Sequence, residues 1–294
     1  MKKSDQAIKA MVKKKYSEIA NQDQSLNQAS CCGCGDASTE VYNIMTDDYS
    51  TTEGYQELAD LGLGCGLPTQ YAGIRTGDTV LDLGSGAGND VFVARHETGP
   101  EGKLIGVDFS SAMIQKAREN AERLGFHNVE FREGDIESLP VNDSIVDVIV
   151  SNCVLNLVPN KAGVFAEMMR VLKPSGHFSI SDIVLKGELP KPLQNAAEMY
   201  AGCVSGAIQE KDYLELIQKA GFSNVQIQKS KPIVIPNDIL SQYLNPEQIE
   251  RFGQDQGIYS ITVYASKPGE EVKKKVSLGE LRAANQCAPG SGCC

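Results

Sequence analysis

A chain of 294 residues with 41% hydrophobic and 22% charged residues has the composition of a globular protein large enough to bury a sizeable core. Its net charge of −10 argues against a phosphate-tracking nucleic-acid surface, which draws its affinity from clustered Lys and Arg. No apolar run approaches the roughly 18 residues of a bilayer span, and no signal peptide precedes the first polar residues, so the expectation is a cytoplasmic protein with a small-molecule substrate.

Ile8, Val12, Tyr16 and Ile19 fall at helical spacing and predict an amphipathic helix over 5–21. The stretch to about residue 50 is polar, carries Cys31, Cys32 and Cys34 in CCGCG, and reads as a linker. From Thr79 the pattern turns regular. TVLDLGS (79–85), KLIGVDF (103–109), VEFREGD (129–135), IVDVIVS (145–151) and HFSISDIV (177–184) are short, apolar and rich in β-branched residues. Helical segments at 89–97, 110–124 and 160–173 separate them, with Ser110 as N-cap and Gly125 as stop signal of the second. Such alternation predicts an α/β fold with a mostly parallel sheet covered on both faces. Helices at 191–206 and 210–220, a strand at 224–230 and an alternating strand at 259–266 follow, and then a charged, finally Gly/Pro/Cys-rich tail. The organisation expected is 1–50 helix and linker, 51–185 cofactor-binding core, 186–266 substrate-binding and C-terminal region, and 267–294 flexible tail.

LDLGSGAGND (81–90) is the most informative string. Gly84, Gly86 and Gly88 follow a predicted strand and open a helix, where missing side chains let the backbone turn tightly and approach a nucleotide-like ligand. The G-x-G-x-G spacing departs from the dinucleotide fingerprint. Asp82 would repel a pyrophosphate but attract the ammonium of an amino-acid moiety. Asp108, at the end of the next strand, suits a pair of ribose hydroxyls, and Asp135 with Ile136 suits the polar edge and apolar face of an adenine ring.

These residues resemble motifs I to III of the class I S-adenosylmethionine methyltransferases over about 74–185. The resemblance implies a Rossmann-like, seven-stranded sheet with one antiparallel strand, for which 259–266 is the candidate, and S-adenosylmethionine as methyl donor. It also implies that Asn152 and Cys153, just after the fourth strand, face the donor methyl.

Three single cysteines narrow the acceptor: Cys65 in LGLGCGLP, Cys153 in SNCVLNLVP and Cys203 in EMYAGCVSGA. A lone cysteine is most often a small buried hydrophobe, but Cys153 borders the donor pocket. The strings GLGCG, SNCVLNL and YAGCVSGA, in that order around LDLGSG, resemble the arsenite S-adenosylmethionine methyltransferases over about 49–230. That resemblance implies that Cys153 and Cys203 bind As(III), that Cys65 joins a thiol–disulfide relay and is a candidate further ligand, and that a thiol reductant such as glutathione or thioredoxin resets the enzyme. Cys31, Cys32 and Cys34 all lie where the family has a further relay cysteine, and the motif does not choose among them. Soft thiolates are the ligands that select such a centre, and they leave the arsenic lone pair available as nucleophile.

Two other readings compete. A methyltransferase of a quinone-like or other small metabolite shares the donor motifs but has no need of Cys65 and Cys203. A soft-metal binding or sensing protein explains CCGCG and CAPGSGCC but not the donor site. A Gly/Pro-rich tail bearing Cys287, Cys293 and Cys294 would raise the concentration of capturing thiols near the site. Deleting residues 286–294 is therefore expected to raise KM for arsenite and leave kcat unchanged, measured across arsenite concentrations at fixed glutathione. Superimposed curves would reduce the tail to an incidental metal binder.

Overall fold

The computed structural model describes residues 5–21, 47–190, 193, 204, 206–235, 237–254 and 256–269. The elements run α1 (Asp5–Asn21), a 3-10 turn (Glu57–Ala59), α2 (Thr69–Ala72), β1 (Thr79–Leu83), α3 (Asn89–Thr98), β2 (Lys103–Asp108), α4 (Ser111–Leu124) and β3 (Val129–Glu133). They continue with β4 (Val146–Asn152), a 3-10 turn (Leu155–Leu157), α5 (Lys161–Val171), β5 (Leu172–Lys186), α6 (Glu210–Lys219), β6 (Ser223–Pro232), α7 (Asn237–Leu240), α8 (Pro246–Arg251) and β7 (Gly257–Ser266).

The strands form one seven-stranded sheet in the order β3-β2-β1-β4-β5-β7-β6. β1 to β5 are parallel, and β7 runs antiparallel to both β5 and β6. This is the class I methyltransferase fold, and the expected antiparallel strand is β7. Side chains alternate between faces, as a pleated strand requires. Leu81, Leu83 and Ile149 join Phe165, Met168, Phe178 and Tyr213 under α5 and α6, whereas Val80, Val148 and Val150 join Val91, Phe92 and Phe131 on the opposite face. With both faces covered, β1 and β4 carry near-continuous apolar runs.

Local signals set the boundaries. Ser110 caps α4 by accepting the amide of Met113 at 3.4 Å, and Gly125 ends it at φ 66°, where a side chain would be strained. α5 stops at Val171, two residues short of expectation. Pro174 excludes Lys173 from the helical region, and the chain enters β5 instead. That strand is longer than 177–184 because β7 pairs with it from His177↔Ser266 to Lys186↔Gly257. The helix expected at 191–206 lies outside the described residues except at 193, 204 and 206, and the cysteine clusters at 31–34 and 287–294 lie outside them altogether. Among the described residues no helix is long and apolar enough to cross a membrane.

The order of strands reverses at β1 and β4. A crevice opens there beyond their carboxyl ends, the usual place for a ligand in an open α/β sheet. A second close approach lies beside it. Gly206 abuts the backbone carbonyl of Asn156, in the turn that follows β4, so a Cβ at 206 has no room. Gly206→Ala is expected to cost about 1–3 kcal/mol through this overlap. Gly73→Ala, whose Cβ would meet nothing within 4 Å, is expected to cost only the strain of its φ of 60°, about 1–2 kcal/mol. Thermal melts of both variants check this: the Gly206 variant should melt at least as low as the Gly73 variant, and a Gly206 variant as stable as the parent would contradict the overlap.

Candidate active site

β1 delivers Asp82 and then the glycine loop. Gly84, Gly86 and Gly88 have φ of 69°, 51° and 100°, all in the region that favours glycine. The loop is bound to the neighbouring strand by Gly84 N–H and Ser85 N–H, which donate to Val107 O at 2.7 and 3.0 Å. The three glycines serve different contacts. A Cβ at Gly84 would enter Val154, and one at Gly88 would meet the rings of Phe92 and Phe131 at 2.9 Å. A Cβ at Gly86 would meet nothing, because that position faces open space. Gly84 and Gly86 line the cleft, whereas Gly88 lets α3 start close against the core.

The cleft spans about 730 Å³ when the open solvent at its mouth is counted. Asp82, Asp90, Asp108, Asn152 and Cys153 line it, with Tyr49 and with Tyr16 from α1. Asp108 donates no bond but accepts two, from Ser110 N–H at 2.8 Å and Gly86 N–H at 3.0 Å, so it braces the loop that it faces. Burial pushes its carboxyl above the usual range, against the pull of these amides. Burial, then Asp90 and Asp108, hold the Asp82 carboxyl well above its ordinary value. Asp90 is pushed up to about 6 by burial, although Tyr49 and Asn152 donate to it. Three buried carboxylates around one cleft favour a cationic occupant. S-adenosylmethionine carries a sulfonium and an ammonium, so the residues present fit this donor.

An adjoining pocket shares Gly84, Phe109, Val154 and Leu157 with the cleft and adds Ile136, Asp135 and Val158. Ile136 supplies its apolar wall. Asp135 is joined by Lys9 of α1 at 2.6 Å, a residue that also reaches Glu137 at 2.7 Å. Lys13 pairs with Glu133, and Ser17 Oγ lies 3.1 Å from Ser110 Oγ, so α1 roofs both pockets.

Cys153 follows β4 at φ 62°, a left-handed conformation that costs a non-glycine residue about 1–2 kcal/mol and marks functional positions. Its amide donates to Ser181 O at 2.8 Å. Cys65 is fully buried and packs in the same apolar cluster as Cys153, with Ile183, Leu185, Val204 and Ile258. The structure thus places two of the three single cysteines in one apolar cluster beside the end of β4. Cys203 lies outside the described residues. Asn152 joins the two thiol segments: its Oδ1 accepts Cys65 N–H at 2.9 Å, and its Nδ2 donates to Gly66 O at 2.8 Å and to Tyr49 Oη at 2.6 Å.

Asp90 and Tyr49 escape a reading by motif. Asp90 looks like an ordinary acid in a first helical turn, and Tyr49 sits in the polar stretch before the regular pattern begins.

Residues 74–221, half of the chain, match a methyltransferase domain family. An arsenite methyltransferase of Halobacterium salinarum is 39% identical over 89% of this chain and 67% of its own length. Another from Aquipseudomonas alcaligenes is 32% identical over 78% of this chain and 66% of its own. An arsenic(III) S-adenosylmethionine methyltransferase from Chlamydomonas reinhardtii superposes with a TM-score of 0.58 at 33% identity, covering 71% of this chain and 69% of that one. The chain spans about two thirds of the length of each.

Asp108→Ala is expected to weaken S-adenosylmethionine binding by about 1.5–3 kcal/mol, the range for hydrogen bonds to a charged group, while arsenite binding without donor survives. Titration calorimetry on both ligands checks it; an unchanged donor affinity would misplace the ribose. The pH dependence has a definite sign. A cation favours ionised Asp90, whose carboxyl holds its proton up to about 6, so donor binding should release protons near that pH. Donor affinity is expected to rise as pH climbs through about 6, and an equal affinity at pH 5 and 7.5 would contradict the carboxylate's part. With the loop, the three carboxylates, the clustered thiols and these relatives taken together, the chain belongs to the arsenite methyltransferase family.

Proposed function

We propose that this chain transfers a methyl group from S-adenosylmethionine to trivalent arsenic held by the thiolates of Cys153 and Cys203, in the cytosol, as a detoxifying step. The observation that supports this reading best is the burial of Cys65 and Cys153 in one apolar cluster at the edge of a cleft ringed by carboxylates. Val204, one residue beyond Cys203, packs in the same cluster.

The division of labour follows from the residues. Bound S-adenosylmethionine supplies an electrophilic methyl on a cationic sulfur. Asp82 and Asp90 face its ammonium and sulfonium, Asp108 and the glycine loop hold its ribose, and Ile136 walls its adenine. Cys153 presents a soft thiolate from a strained, well-fixed strand end, so that arsenic can stand in line with the methyl at about 3–3.5 Å. No general base is required, because no proton leaves the attacking atom. Transfer raises arsenic from trivalent to pentavalent. Return to the trivalent state takes two electrons, which two thiols give by closing to a disulfide. Cys65, a buried thiol of the same cluster as Cys153, serves in that relay on this reading, with an N-terminal cysteine and an external reductant such as glutathione or thioredoxin completing it. A quinone methyltransferase would have no use for a second buried thiol beside Cys153.

A turnover assay with arsenite, S-adenosylmethionine and glutathione, with products separated by chromatography, tests the reading. Cys153→Ser and Cys203→Ser are each expected to abolish methylation, since a hydroxyl is a harder and far less ionised ligand. Cys65→Ser is expected to spare a monomethylated trivalent substrate more than arsenite itself. Full activity of the Cys203 variant would overturn the two-thiolate site.

A further inference from the structure

Asn152 sits between the donor cleft and the Cys65 loop, and its amide makes more contacts than its own role as a lining residue requires. Its Oδ1 accepts Cys65 N–H at 2.9 Å, while its Nδ2 faces three acceptors: Tyr49 Oη at 2.6 Å, Gly66 O at 2.8 Å and Asp90 Oδ2 at 3.2 Å. Asn152 thereby pairs with Cys65–Gly66 as a strand backbone would, one acceptor and one donor in register. The glycines on either side permit the approach: a Cβ at Gly64 would lie 2.7 Å from Asn152 Nδ2, and one at Gly66 would lie 2.5 Å from Ser181 Oγ.

Only one orientation of that amide is possible. Turned over, its oxygen would face the Asp90 carboxylate and the Gly66 carbonyl, and its NH2 would face the Cys65 N–H. Each contact would then set like against like. Asp90, ionised, is an acceptor only. Its other oxygen takes the Tyr49 hydroxyl at 2.8 Å, and burial beside Asp90 keeps the Tyr49 phenol protonated as a donor.

We propose that Asp90, with Tyr49 docked on its other oxygen, is a positioning residue for the Cys65 thiol: it fixes the polarity of the Asn152 amide, and the amide holds the Cys65 loop against the strand end that carries Cys153. Asp90 also lines the donor cleft, so the same carboxylate serves the methyl donor on one side and the relay thiol on the other. The role of the clip in turnover rests on the reading of Cys65 as a relay thiol. Its effect on where Cys65 stands does not.

Asp90→Asn and Tyr49→Phe separate polarity from packing. An Asn at 90 has one acceptor oxygen where the carboxylate has two, so it can accept from Tyr49 or from Asn152 but not from both, and it no longer holds the amide by charge. A Phe at 49 leaves Asp90 and Gly66 O as acceptors, so the amide keeps its orientation. The readout is the rate of alkylation of each cysteine by iodoacetamide in the full chain without arsenic, followed by mass spectrometry of the peptides. Cys65, fully buried, should react slowly in the parent. Asp90→Asn is expected to speed Cys65 by at least about tenfold, the scale of one or two buried hydrogen bonds lost from a loop, and to speed Cys153 far less. Tyr49→Phe should have the smaller effect on Cys65. Equal acceleration of both cysteines with a lowered melting temperature would mean general loosening and overturn the proposal, as would a Tyr49→Phe effect equal to or larger than that of Asp90→Asn, or no acceleration. Methylation is the second arm. If Cys65 is a relay thiol, Asp90→Asn should reproduce the Cys65→Ser pattern, with arsenite turnover falling more than that of the monomethylated substrate at saturating donor. Accelerated alkylation without that split would keep the clip and sink the relay reading instead.

Discussion

Everything at this site hangs on a partly buried amide at the end of one strand. Asn152 closes β4 at the point where the sheet reverses direction, and its side chain does what a neighbouring strand would do for the Cys65–Gly66 segment. Backbone groups buried away from water must find partners, and a loop of glycines and one cysteine has few of its own. By supplying both an acceptor and a donor, Asn152 makes it possible to bury Cys65 completely and still leave it in a loop. The next residue, Cys153, is forced into a left-handed conformation by the same turn. One residue therefore sets the placement of two thiols.

The carboxylates on the other side of Asn152 show what the protein tolerates for its donor. Asp82, Asp90 and Asp108 are all buried, and burial raises the carboxyl of each. Such a cluster is costly in the absence of a cation, since each ionised group is deprived of water and faces like charges. A fold held only for stability would not keep it; a fold that binds a sulfonium gains from it. The thiol side of the same strand ends is built differently. A further buried acid, Asp182 on β5, is pushed up to about 7 by burial, accepts from Tyr213 at 3.3 Å and faces the partly buried Lys161. There the charge is answered by protein groups, whereas in the donor cleft the three carboxylates face space open to a ligand.

The thiol region is apolar where the donor region is anionic. Cys65 and Cys153 pack with Ile183, Leu185, Val204 and Ile258, which exclude water from a soft centre without offering it hard oxygen ligands. β7 contributes to that wall because its ten-residue pairing with β5 carries Ile258 and Ser260 to the end of the sheet, where Ser260 donates to the Cys65 carbonyl.

The alternation of apolar runs and helical segments determined the sheet and most element boundaries, because backbone periodicity and capping are local properties. The glycine loop, Asp82 and Asp108 were legible for the same reason: strand, turn and helix N-terminus lie within one short string, and the chemistry of that string is local. The cysteine strings identified an acceptor class through resemblance, without geometry. What the sequence could not hold is which distant residues meet. Tyr49 reaches Asp90 across forty-one residues, and Asn152 reaches Cys65 across eighty-seven; nothing in the spacing of either pair announces a contact. Lys9 on Asp135 is likewise a product of α1 folding back over the sheet. Hydrogen bonds between remote side chains depend on crossover connections that place β1 beside β4, so the orientation of the Asn152 amide, and with it the seat of Cys65, was decided only by the tertiary structure.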